Sequence, residues 1–137
     1  MRRRHPGDGR DDGSSTVETV LVFPVPVAIM LFIVVVTRLI AADIDLAGAA
    51  YHAARDASLQ RTSADAIAAA EATATSSASA CTGLDISVDL ENFAPGDTVT
   101  VTLTCEVPTL NAPGFDGTTW TLTATGTARI DTWRSDL

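Results

Sequence analysis

Few residues in this 137-residue chain have the type and spacing to do chemistry. The first set is Gly13 and, five positions later, a single acid, Glu18, at the lip of the longest apolar run. A carboxylate is disfavoured beside lipid unless it sits at the interface or finds a partner, so its presence there asks for a reason. The second set is the cysteine pair, Cys81 and Cys105. An even pair in an exported segment reads as a disulfide, with two buried free thiols as the alternative. The other candidates carry less. His5 lies in a polar leader and His52 on a helical segment, too unlike in setting to form a site. Asp85, Asp89 and Glu91 read as the solvated side of a strand rather than as metal ligands. Trp120 and Trp133 read as core and chain-end packing. The sequence holds no Cys-x-x-Cys, no His-Glu-x-x-His, no glycine-rich phosphate loop and no nucleophile elbow. It therefore predicts no catalytic residue, no metal and no cofactor.

The elements that position these residues start with the apolar run itself. Val20 to Val36 is seventeen residues without a charge. As a helix it spans roughly 26 Å at ~1.5 Å per residue. With Thr19 and Thr37 included, that is just long enough to cross a hydrocarbon core about 30 Å thick. Ser14, Ser15 and Thr16 offer N-caps ahead of it, and Glu18 in the first turn suits the positive end of the helix dipole. Pro24 and Pro26 each lack a backbone donor, so an irregularity is expected near Val20 to Phe23.

Charge gives the span a direction. Four of the nine arginines (Arg2, Arg3, Arg4, Arg10) fall in the first ten residues, and lysine is absent. From Ser14 onward five basic residues face fourteen acidic ones, a net of −9. The arginine-rich end is expected in the cytoplasm and the rest outside. No downstream basic stripe supports nucleic-acid binding. The leader, residues 1–13, has no apolar face and is expected to be disordered.

Beyond the span, residues 14–37, the chain reads as two regions. Residues 38–80 are an extracytoplasmic helical region. The span runs on without a break through an apolar-to-small stripe of Ile40, Ile44, Ala47, Tyr51, Ala54 and Ser58. His52 and Asp56, at i and i+4, are placed for an ion pair, and Gly48 suggests close packing against another helix. Thr62 or Ser63 then caps a second, alanine-rich helix, or a bent continuation of the first, with Asp65 in its first turn. Residues 81–137 change to a period of two. Leu84, Ile86, Val88 and Leu90 face one way; so do Val99, Val101, Leu103, Cys105 and Val107, and then Trp120, Leu122, Ala124, Gly126, Ala128 and Ile130. Threonine fills most of the alternate positions of the later two runs. This predicts three strands with a turn at Phe93 to Asp97, a longer loop at Asn111 to Gly117, and one wet face. The whole is an α+β chain, a long N-terminal transmembrane helix continuing into a helical region packed on a small three-stranded antiparallel sheet.

GSSTVE followed by TVLVFPVPVAIMLF resembles the start of TadE-like proteins, the pseudopilins of the tight-adherence (Flp) pilus system, and is closest to actinobacterial members. AAYHAARDASLQRT, the cysteine at the head of the C-terminal region and VTVTLTCEVP with its second cysteine agree with it. The resemblance implies a pilin-like fold and a structural role in pilus assembly rather than an enzymatic one. It implies cutting by a membrane-embedded prepilin peptidase after Gly13, leaving Ser14 as the new N-terminus. Glu18 would then be the fifth residue and would meet the N-terminal amine of a neighbouring pilin or pseudopilin, a partner that offsets the cost of a carboxylate in low dielectric. The other partners implied are membrane lipid and the assembly platform. The chain departs from pilin leaders at Asp12, where a basic residue is usual before the glycine. An uncleaved, signal-anchored envelope ectodomain with a binding role is the alternative. Arg38 and the poor small-x-small pattern at Ile40 to Ala42 count against ordinary signal-peptidase release.

Overall fold

A computed structural model describes residues 20, 22–79, 81–108 and 119–133. Gly13, Ser14 and Glu18, the leader 1–13 and the loop 111–117 lie outside the described residues. The chain divides into two units, one ending at Val36 and one starting at Thr37.

Helix α1 runs Pro24–Ser58, 35 residues. The irregularity expected near Phe23 is there as a turn directly before Pro24. Both prolines then fall in the first helical turn, where the backbone donors have no partner within the helix and their loss costs little. From Pro24 the helix carries through Arg38 without interruption. It ends at Ser58, whose hydroxyl donates to the Arg55 carbonyl at 2.7 Å, while Gln60 N donates to Ala57 O at 3.1 Å. Helix α2, Ser63–Ser77, is a separate helix rather than a bent continuation. Thr62 is its N-cap: its hydroxyl oxygen accepts from Asp65 N at 3.1 Å and donates to Asp65 Oδ2 at 2.7 Å. The two helices are tied by Thr73, whose hydroxyl donates to Asp56 Oδ2 at 2.7 Å. Asp56 is thus held by α2, while His52 sits edge-on to Tyr51 with ring centroids 5.8 Å apart. The i, i+4 pairing of His52 with Asp56 gives way to these contacts.

Strands β1 (Gly83–Asp89), β2 (Thr98–Pro108) and β3 (Thr119–Arg129) form an antiparallel sheet in the order β1-β2-β3. The register sets Leu84 against Cys105, Val101 against Gly126 and Leu103 against Ala124. The architecture is α+β, as the change of period predicts. The β1–β2 turn is held by short acids. Asp89 Oδ1 accepts from Glu91 N at 3.1 Å, and Asp97 Oδ2 accepts from Ala94 N at 3.0 Å. Gly96, at φ 92°, takes the left-handed geometry that glycine adopts without strain.

The core lies between one face of the sheet and the two helices, and most of its helical side is alanine. Leu46, Ala49, Ala50, Ala53, Ala54 and Ala57 from α1 and Ala66, Ala70 and Ala74 from α2 meet Val99, Val101, Leu103, Cys105, Ala124 and Ile130. The buried face of α1 therefore differs from the expected stripe. Of its members only Ala54 and Ser58 are buried, while Ile40, Ile44, Ala47 and Tyr51 are exposed. The reason is the distance of approach. A Cβ at Gly126 would overlap the Ala50 carbonyl and the Tyr51 amide, so the helix backbone rests directly on β3. Only small side chains fit such a seam. Gly48 does not serve it: a Cβ there would meet nothing within 4 Å. Trp120 and Trp133 are not core either, at 50% and 91% exposure.

Candidate functional site

Two features of the structure carry function: the apolar half of α1, and the bridge that fixes the C-terminal unit. From Val22 to Val36 the large apolar side chains, Val35 apart, are exposed, and they lie on every side of the helix. Phe32 is 68% exposed and its neighbour Met30 is 70% exposed. A helix apolar all round has no polar face to give to water, and burial in protein or lipid is its usual setting. Among the described residues it is the one helix long and apolar enough to cross a membrane. All its backbone bonds beyond the first turn are internal, which is what a hydrocarbon solvent demands. This is the geometry of a single-pass membrane anchor. The residues that would act on it, Gly13, Ser14 and Glu18, precede the described part of the helix.

Cys81 and Cys105 form a disulfide, with Cα atoms 5.5 Å apart and a separation of 24 in sequence. Cys105 is buried in the core face of β2, and Cys81 follows the C-cap of α2 at Ala78. The bridge pins the end of α2 to the middle strand. Beside it, Thr82 donates to Glu106 O through both its amide (3.0 Å) and its hydroxyl (2.8 Å). One residue pair thus holds the helical layer onto the sheet, where alanine-sized contacts alone give little burial.

Sites for small molecules are poorly formed. An open cleft of ≈ 420 Å³ is lined by Arg55, Ser58, Leu59, Arg129, Ile130, Asp131 and Thr132. No three of His, Cys, Asp or Glu converge as metal ligands among the described residues. Asp85 and Asp89 stand exposed on the outer side of β1, and Asp89 is engaged in the turn.

Residues 13–55 match the model of a family described as TadE-like protein. The match begins on Gly13, takes in Ser14, Glu18 and the whole apolar run, and ends at Arg55 in the last turn of α1. The N-terminal part of this chain, roughly a third of its length, is therefore similar to that family. Neither a curated protein nor a solved structure matches the chain.

Proposed function

We propose that this chain is a TadE-like pseudopilin, a membrane-anchored structural component of tight-adherence (Flp, type IVb) pilus assembly. The observation that carries the reading is the extent of the family match: it starts at Gly13 and runs through an apolar helix exposed all round. A prepilin peptidase cuts after Gly13, with the arginine-rich leader in the cytoplasm and the disulfide-bonded unit outside. Ser14 then carries the new amine. Glu18, two residues before the apolar run, pairs with the amine of a neighbouring pilin or pseudopilin as the chain is drawn from lipid into the assembly. Pairing removes most of the cost of an isolated charge in low dielectric. The role is structural, and the partners are lipid, the peptidase, other pilins or pseudopilins and the assembly platform.

The test is the N-terminal sequence of the protein extracted from membranes. A start at Ser14 is expected. An intact leader would overturn the processing step and favour a signal-anchored ectodomain with a binding role, a reading that Asp12 directly before Gly13 supports.

A further inference from the structure

The inner faces of the three strands are buried or half-buried at every described position but one. Trp120, near the start of β3, is exposed there. An indole carries a large apolar body and a single N–H donor, so leaving it uncovered in water wastes most of what it could contribute.

Its place along the unit that starts at Thr37 decides what can cover it. Two contacts fix the direction of β3 against α1. Gly126 has Ala50 and Tyr51 seated on it. Later in both elements, Arg129 and Ile130 share one cleft with Arg55 and Ser58. The strand and the helix therefore run the same way. From Gly126 back to Trp120 is about 20 Å at ~3.4 Å per residue. From Ala50 back to Thr37 is also about 20 Å at ~1.5 Å per residue. Trp120 thus stands at the end of the unit where the chain enters it, directly after the uncharged run Val20 to Val36. Arg129 lies about 30 Å from Trp120 by the same strand spacing, and Trp133 follows it at the opposite end, almost wholly exposed.

Helix α1 supplies a second observation at the same end. Ile40 and Ile44 lie one turn apart on one flank, and both are more than half exposed. They come after Arg38, the first charge beyond the apolar run. Along the helix they stand about 5 Å and 10 Å past Thr37. A bilayer is about 40–45 Å thick with a hydrocarbon core of about 30 Å, which leaves a headgroup layer about 5–8 Å deep on each side. Ile40 falls inside that layer and Ile44 at its outer margin, with Trp120 near its base.

We propose that Trp120, with Ile40 and Ile44, seats this end of the C-terminal unit in the headgroup layer of the membrane. Tryptophan suits that layer because its ring lies against acyl chains while its N–H reaches water or ester oxygens. Charge selects the kind of lipid. Asp43, Asp45 and Glu106 stand exposed in the same half of the unit, so the surface fits zwitterionic headgroups and is repelled by anionic ones. The inference rests on anchoring by the apolar run, and neither on the cut after Gly13 nor on pilus assembly.

The experiment uses the full chain in phosphatidylcholine vesicles, with one tryptophan left in each variant. Trp133→Phe reads Trp120, and Trp120→Phe reads Trp133. Circular dichroism and the native disulfide check the fold of both. Lipids with a nitroxide on the headgroup, or high on the acyl chain, serve as quenchers. Trp120 emission is expected to shift to the blue in vesicles and to be lost to both quenching lipids. Trp133 emission is expected to stay that of indole in water, quenched by acrylamide and untouched by the lipids. Trp120 emission untouched by either lipid overturns the proposal, and if it is nonetheless blue-shifted, a protein partner covers the ring instead. Equal lipid quenching of the two tryptophans also overturns it, because the unit then has no lipid-facing end. If Trp120→Phe fails to fold, an unquenched Trp133→Phe variant overturns it alone. A chain that does not float with the vesicles overturns the anchor and this proposal with it; one that floats with Trp120 unquenched overturns only this proposal.

Discussion

At the scale of single residues, two glycines in different surroundings make opposite demands. Gly126 has the backbone of α1 seated on it, at Ala50 and Tyr51. Gly126→Ala forces helix and strand apart, and the cost expected is about 1–3 kcal/mol, the range for overpacking a close-packed interior. Gly48 sits in the interior of the same helix with open space where a side chain would go. Gly48→Ala is expected to stabilise by about 0.5–1 kcal/mol, because it restricts the unfolded chain and adds no clash. Urea unfolding of the two variants measures both; equal effects of either sign would show that α1 does not rest on β3 as described. In the proposed role Glu18 makes a third demand, set by lipid rather than by packing. Glu18→Ala removes a carboxylate from the edge of the apolar run and leaves the run intact, so membrane insertion is expected to be unchanged. Incorporation into filaments is expected to fall. Membrane fractionation and filament recovery separate the two effects, and undiminished incorporation would remove the carboxylate from the assembly step.

At the scale of elements, the disulfide does what the alanine seam does poorly. Alanine side chains bury little apolar area each, and stabilisation scales with area removed from water. The bridge closes a loop between residues 24 apart, and in the chain-entropy model such a loop contributes about 3–4 kcal/mol. Reduction is therefore expected to raise the protease sensitivity of the C-terminal unit without releasing the protein from the membrane. Limited proteolysis with and without reductant, read on the membrane fraction, checks both parts. The strands were legible in the sequence because a period of two admits only two phases, and Leu84, Ile86 and Val88 against Val99, Val101 and Leu103 choose between them. A cap at Thr62 or Ser63 was legible, and Thr62 takes it because Asp65 follows at the spacing that lets each bond the other. The buried face of α1 was not. Hydrophobicity favours Ile40, Ile44 and Tyr51, whereas the seam selects for smallness, and that need originates at Gly126, far away in sequence. Trp120 shows the same limit. Its alternation puts it on the inner face, but it lies near the end of an edge strand and stays half exposed.

At the scale of the whole molecule, the chain joins two units with different surfaces. Among the described residues, every buried one lies at or after Ala42, while the apolar side chains of Val22 to Val36, Val35 apart, stand exposed on all sides of the helix. Among the described residues, the core of the second unit is thus built from its own side chains. From Thr37 to Leu137 five basic residues face thirteen acidic ones, a net of −8, and a net charge of that size favours solubility. A chain starting at Thr37 is therefore expected to remain in solution without detergent, to retain the Cys81–Cys105 bridge and to unfold in one cooperative step. The full chain is expected to pellet with membranes through alkaline carbonate and to leave them only with detergent. Sedimentation and urea unfolding of the shortened chain decide the matter. An aggregate, or a transition without cooperativity, would mean that residues before Thr37 help to build the core, and the division between an anchor made for lipid and a unit that folds on its own contacts would fail.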